Sequence, residues 1–137
     1  AVCMLDADNL KQINDRYGHL AGTELIKWTA RIIKANIRES DVAARFGGDE
    51  FIVMYNDHDK DQIRPAVERI VRAMDNCPFS YEGEFINCTI SAGIASYPAD
   101  GGDMKSVVKQ ADLAMYRSKR MGKNRVSLAG CGGEQTG

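Results

Sequence analysis

Residues 45–51, Arg-Phe-Gly-Gly-Asp-Glu-Phe, are the stretch that most restricts how this chain can fold. Two adjacent glycines separate the apolar run Val42, Ala43, Ala44, Phe46 from the apolar run Phe51, Ile52, Val53, Met54. Strand, tight turn at positive φ, strand is the pattern of a β-hairpin, and it predicts one over 42–55. The turn also carries Asp49 and Glu50, two like charges that repel each other. In one reading the glycines let a ligand approach the backbone while the carboxylates hold a divalent cation. In the other the turn is merely acidic and solvated. On this stretch alone the two readings are equally good.

The flanking chain gives the hairpin its partners. Residues 1–5 are continuously apolar, as in a central strand covered on both faces. Asp6 ends that strand, and Asp8 and Asn9 can cap a short helix that Gly18 stops. A second helix is predicted over about 22–38, from the stripe Leu25, Thr29, Ile32, Ile33, Asn36, Ile37. A third is predicted over about 61–76, with Pro65 in its first turn. A second hairpin is predicted over 78–97, with arms Phe79–Tyr81 and Phe85 to about Ala95. A fourth helix is predicted over about 103–121 with Gly122 as its cap, then an edge strand over 125–128. This order predicts an α+β fold of ferredoxin-like kind: a mostly antiparallel sheet with helices on one face.

Composition sets the outer limits. The chain has 137 residues, enough for one domain with a core. The net charge of −1 leaves no basic surplus for nucleic acid or a membrane surface. No apolar run approaches the ~20 residues of a membrane span. The four cysteines form no C-x-x-C pair, and Cys3 and Cys88 sit in strand-like stretches, which favours reduced thiols in a cytoplasmic protein. Because a buried-strand pattern starts at residue 1, the expectation is a domain, 1–128, cut from a longer protein. A missing upstream region could tether it to the inner face of the membrane. The Gly-rich 129–137 is expected to be a flexible tail.

The carboxylates converge. Asp6 ends the first strand, and Asp49 and Glu50 sit at the tip of the hairpin that should pair with it. Adjacent strands lie about 4.8 Å apart, so Asp6 and Asp49 can share one ion. Hard oxygen ligands suit Mg²⁺, and such a pair is the core of nucleotidyl-transfer sites. Lys119 and Lys123 could reach a triphosphate; taken alone, they are better explained as cations favoured at a helix C-terminus.

Three segments then resemble a known family. They are 5–19 (Leu-Asp-Ala-Asp-Asn-Leu-Lys-Gln-Ile-Asn-Asp-Arg-Tyr-Gly-His), 43–51 (Ala-Ala-Arg-Phe-Gly-Gly-Asp-Glu-Phe) and 111–126 (Ala-Asp-Leu-Ala-Met-Tyr-Arg-Ser-Lys-Arg-Met-Gly-Lys-Asn-Arg-Val). In order and spacing they look like the motifs of GGDEF domains, the bacterial diguanylate cyclases. The resemblance implies a nucleotidyl-cyclase, palm-like sheet and a Mg²⁺- or Mn²⁺-dependent enzyme. Such an enzyme condenses two GTP into cyclic di-GMP and pyrophosphate in an antiparallel homodimer. It implies metal ligands at Asp6, the Ala7 carbonyl and Asp49, with Asp49 and its neighbour Glu50 catalytic. The phosphates would lie on the backbone of residues 8–11, including Asn9, Leu10 and Lys11, and on Lys119 and Lys123, and Gly47 and Gly48 would make room for the α-phosphate and ribose. Asn14 would read guanine, with Arg45 close to the substrate. Arg38-Glu-Ser-Asp41 stands at the offset of an R-x-x-D product-inhibition site, where Arg69 could add a second cation. On its own a local ion pair would explain that pattern; the offset favours a cyclic di-GMP site.

The chain also departs from the family pattern. Thr23 stands where an Asp usually reads guanine, a loss of about 1.5–3 kcal/mol of guanine preference. That opens an alternative, a promiscuous cyclase that also takes ATP and makes cyclic AMP-GMP. Another is a non-catalytic receptor for GTP or cyclic di-GMP. Lys123 replaces a more usual Arg, which keeps the charge and loses the fork. Asn9 and Leu10 replace bulkier residues, and a helix that flanks the base pocket upstream of Ala1 in the family is absent from the sequence.

Overall fold

The computed structural model describes residues 1–130. The apolar opening becomes β1 (Val2–Ala7), with side chains buried on both faces. It is the middle strand of a five-stranded sheet ordered β2-β3-β1-β6-β7. β1 runs antiparallel to β3 (Glu50–Met54) on one side and to β6 (Ile90–Ala95) on the other. β2 (Val42–Arg45) completes the hairpin with β3, and β7 (Val126–Leu128) lies parallel to β6 at the far edge.

Strand alternation creates two cores. Cys3, Leu5, Val53, Ile90 and Ile94 face the helices α1 (Leu10–Tyr17), α2 (His19–Ala35) and α3 (Lys60–Asn76). Val2, Met4 and Ala95 face the opposite way, onto Val107, Ala111 and Met115 of α4 (Met104–Arg120). The helices thus cover both faces of the sheet, not the one face expected. Gly93 explains how α4 gets so close. A Cβ there would overlap the Met115 nitrogen and the Ala111 carbonyl, so the helix backbone rests directly on β6. Ser118 fastens the same contact, donating to the Ala92 carbonyl at 2.7 Å.

Four boundaries differ from expectation for local reasons. α2 starts at His19 rather than about 22, because Gly22 is an interior helix position whose missing side chain makes room for the Asn14 amide. Pro65 falls in the second turn of α3, whose start is fixed by a reciprocal capping box between Asp59 and Gln62. The second hairpin is a separate ribbon of β4 (Phe79–Tyr81) and β5 (Glu84–Ile86), turned by Glu82 and Gly83 at positive φ. The chain then breaks at 87–89, and β6 joins the main sheet instead of prolonging β5. Finally, Ala129 is buried, and its N–H donates to the Ile94 carbonyl at 2.8 Å. Residues 131–137 of the expected tail lie outside the described residues.

Candidate active site

Pairing register brings the carboxylates together. Asp6 lies opposite Glu50 on β3 and opposite Ser91 on β6, so all three side chains share the α4 face. Glu50, rather than Asp49, is the direct cross-strand neighbour of Asp6; Asp49 sits one residue further into the turn. That turn is wider than the tight turn expected. Phe46 N–H donates to the Glu50 carbonyl at 2.8 Å, and Arg45 donates from Nε at 3.0 Å and also from Nη2 to the Gly48 carbonyl. Neither Gly47 nor Gly48 is at positive φ. What the glycines supply is space: a Cβ on Gly47 would press on the Glu50 carboxylate at 3.1 Å, and one on Gly48 would meet open space.

From α4, Lys119 reaches across to the end of β1. Its Nζ lies 3.4 Å from Asp6 Oδ2, 3.0 Å from Asp8 Oδ1 and 3.5 Å from the Ala7 carbonyl. Asp8 is the hub beneath it. It is fully buried and accepts from Ser91 Oγ at 2.6 Å, Thr89 Oγ1 at 2.7 Å and the Asn124 N–H at 3.1 Å. Burial pushes its pKa up, but hydrogen bonds from Ser91, Thr89 and Lys119 together with the Lys119 charge outweigh that and hold it below the ordinary value. Asp8 therefore does not cap α1; the N-cap is Asn9, at φ 62° and without a side-chain cap bond.

Asp6 has the opposite character. Its Oδ1 is buried and has no hydrogen-bond partner. Burial, opposed by Lys119 and reinforced by Asp49 and Glu50, raises its pKa to about 7. Glu50 is raised as well, by burial and then by the Asp112 carboxyl of α4, which the sequence reading missed. An orphaned carboxylate oxygen among like charges, with a carbonyl alongside, suits a hard divalent cation. No cluster of three or more His, Cys, Asp or Glu side chains able to hold a metal occurs among the described residues. Asp6 and the Ala7 carbonyl alone would leave an ion most of its positions for water and substrate oxygens, an arrangement Mg²⁺ tolerates.

Next to these carboxylates is a cationic, strained rim. Asn9, Lys123 and Asn124 are all left-handed without being glycine, at φ 62°, 66° and 52°. Lys123 Nζ donates to Asn9 Oδ1 at 2.6 Å. The first N–H groups of α1, on Leu10 and Lys11, have no helical acceptor and face no side-chain cap. Asn14 lies further along α1 with its Oδ1 buried and unpartnered against Gly22. Thr23, on α2, is exposed, and its hydroxyl donates to the His19 carbonyl at 3.1 Å.

The R-x-x-D residues lie apart from this group, at the other end of β1 and β3. Asp41 is buried and accepts from the Arg38 N–H at 2.8 Å and from Arg38 Nη2 at 3.4 Å. Together with Arg69, Tyr55 and His58 they line a pocket of about 270 Å³. Arg69 donates to the Asn36 carbonyl at 3.5 Å. A wider cavity of about 780 Å³, lined by residues such as Ala1, Met54, Tyr97 and Met104, contains neither cation–carboxylate group in full. Size is a poor guide here, because the chemistry follows the charges. Thr89, Ser91 and Asn124 were missed in the sequence, although two hydroxyls inside the apolar run 90–95 and its approach were a visible signal.

Comparison with known proteins identifies the family and the fold. The family described as "Diguanylate cyclase, GGDEF domain" matches residues 1–125. Diguanylate cyclase A of Treponema denticola is 44% identical over 94% of this chain, which spans only 35% of that protein. The GGDEF domain of YfiN (TpbB) from Pseudomonas aeruginosa superimposes with a TM-score of 0.89 at 34% identity, covering 93% of this chain and 80% of that one. The GGDEF domain of DgcB from Caulobacter crescentus, solved in complex with cyclic di-GMP, gives a TM-score of 0.82 at 29% identity, covering 93% and 75%. The chain therefore belongs to the diguanylate cyclase GGDEF-domain family.

Proposed function

We propose that the chain is a diguanylate cyclase domain, dependent on Mg²⁺ or Mn²⁺, that condenses two GTP into cyclic di-GMP and two pyrophosphates. The observation that carries this reading is the orphaned Asp6 Oδ1 beside the Ala7 carbonyl, opposite Glu50 and next to Asp49. A divalent ion bound there would lower the pKa of the attacking 3′-hydroxyl and neutralise phosphate charge. Asp6, the Ala7 carbonyl and Asp49 would hold it. Glu50, its pKa raised by burial and then by Asp112, is suited to take up a proton beside the reacting oxygens. The N–H groups of Leu10 and Lys11, next to Asn9 at the start of α1, form an anion site for the terminal phosphates. Lys119 and Lys123 add positive charge on the same side, and the open space at Gly48 admits the α-phosphate and ribose.

One chain carries one such set of carboxylates, and the product needs two phosphodiester bonds. Two copies meeting antiparallel satisfy that requirement. Asn14, with an unpartnered amide oxygen, is the stronger base reader. Thr23 spends its only proton on the His19 carbonyl, which leaves it an acceptor. An acceptor fits guanine N1–H and the 2-amino group, and so favours GTP over ATP. The pocket of Arg38, Asp41 and Arg69 is read as the site at which cyclic di-GMP inhibits. The described residues contain no helix long and apolar enough to cross a membrane; GTP as substrate sets the reaction in the cytoplasm, and any tether would lie in other segments.

The test is a product assay with GTP, ATP and Mg²⁺, separated by chromatography. Cyclic di-GMP is the expected product, with mixed cyclic AMP-GMP a minor one. A chain that forms no cyclic dinucleotide from any mixture, yet still binds cyclic di-GMP, would be a receptor and not a cyclase.

A further inference from the structure

Tyr55 follows β3 and lines the Arg38 pocket. It is 3% exposed and packed into the main core, yet its hydroxyl has no hydrogen-bond partner. Buried phenols normally find one, and leaving the group unpaired costs stability. The hydroxyl is not needed to hold the residue in place. The Tyr55 N–H donates to the Ala1 carbonyl at 2.9 Å, and the Tyr55 carbonyl accepts from the Ala1 amine at 2.9 Å. The backbone is thus fixed and the ring held by apolar packing, while the polar tip sits in the field of Asp41, Arg69 and Arg38.

Those neighbours do not satisfy it. Asp41 is taken up by Arg38, and Arg69 is engaged with Asn36. Burial in the first place, then Cys3 and Asp41, hold the phenol above its ordinary pKa, so it keeps its proton and can donate. A ligand rich in acceptors is what this corner lacks. A cyclic dinucleotide brings phosphate oxygens and guanine O6 and N7, alongside the donors that Asp41 would accept.

We propose that Tyr55 is a further ligand-binding residue of this pocket, its hydroxyl donating a hydrogen bond to an acceptor atom of bound cyclic di-GMP. This rests on reading the pocket as the product site. It has an unusual signature: the hydroxyl helps only when ligand is present, and burdens the fold when it is not.

Cyclic di-GMP titrated calorimetrically into the 137-residue chain tests it, with ligand-free melting curves recorded in parallel. Tyr55→Phe, and Tyr55→Met as a second variant without the hydroxyl, should each bind about tenfold more weakly, the equivalent of one hydrogen bond. The ligand-free melting temperature of Tyr55→Phe, which removes the hydroxyl alone, should equal or exceed that of the unaltered chain. Arg38→Ala should bind more weakly still. If both Tyr55 variants bind as tightly as the unaltered chain while Arg38→Ala is weak, Tyr55 is no ligand contact and the product site stands. If the unaltered chain does not bind, or Arg38→Ala binds equally well, the product-site reading fails and takes the Tyr55 assignment with it.

Discussion

The two ends of the β1–β3 strand pair are opposites. At one end, Asp6, Glu50 and Asp49 crowd three carboxylates together, with Lys119 drawn off in part to Asp8. At the other, Arg38 and Arg69 surround a single buried carboxylate, Asp41, and an unpaired phenol. The first end is short of positive charge and the second is short of acceptors. Neither is fully satisfied within the protein, and under the proposed function each would take a ligand of opposite character: a divalent cation with phosphates, and an anionic nucleotide. The same sheet registers both, since β1 pairs with β3 from Val2–Met54 to Asp6–Glu50.

The sharpest way to break this contrast is at Asp6. Asp6→Asn removes an ion ligand and should lower turnover about a thousandfold, the several kcal/mol a metal supplies to a charged transition state. The same change should not weaken the ligand-free fold at pH 8, because it removes a buried charge from among like charges. The sign of the pH dependence follows. The folded pKa of about 7 lies above the unfolded value of 3.8, so the Asp6 contribution is fully present below about pH 4 and is lost as pH rises to about 7. Melting curves of the unaltered chain should show that loss between pH 4 and 7, and Asp6→Asn should reduce it. A variant that melts lower than the unaltered chain at pH 8 would mean the carboxylate is structural.

Asp8, two residues on, should behave the other way. Asp8→Ala leaves Lys119, Ser91, Thr89 and the Asn124 N–H without their shared acceptor. Breaking such a buried pair costs about 3–5 kcal/mol, read as a shift in urea midpoint. An unchanged midpoint would show that the hub carries little of the fold.

That difference between Asp6 and Asp8 marks how far the sequence could be read. Strand and helix positions were legible because apolar periodicity is strong in 1–5, 50–54, 61–76 and 103–121. The convergence of Asp6 with Asp49 and Glu50 was legible because a hairpin must pair with a neighbouring strand. Which face α4 covers was not, since it depends on Gly93 allowing a helix backbone to touch the sheet. The roles of paired residues were not legible either. Asp8 looked like a helix cap, yet it is buried by residues 81 and 83 positions away in sequence. Gly47 and Gly48 suggested positive φ, but neither adopts it; a Cβ on Gly47 would press on the Glu50 carboxylate, while one on Gly48 would meet open space. Tyr55 read as the end of an apolar run, and only its position against Asp41 and Arg69 gives it another meaning.

The smallest expected effect lies at the basic end. Arg38→Ala should relieve inhibition by cyclic di-GMP while leaving the initial rate within about twofold, because sites this far apart and without shared partners act additively. The basis is charge. Arg38 supplies both an N–H and a guanidinium to Asp41, and its side chain is 57% exposed and so able to turn toward a phosphate. Progress curves with added product measure it: the unaltered chain should slow as cyclic di-GMP accumulates, and the variant should run straight. A variant whose initial rate falls tenfold would show that the two ends are mechanically coupled through β1 and β3, and the contrast between them would then describe one site in two parts.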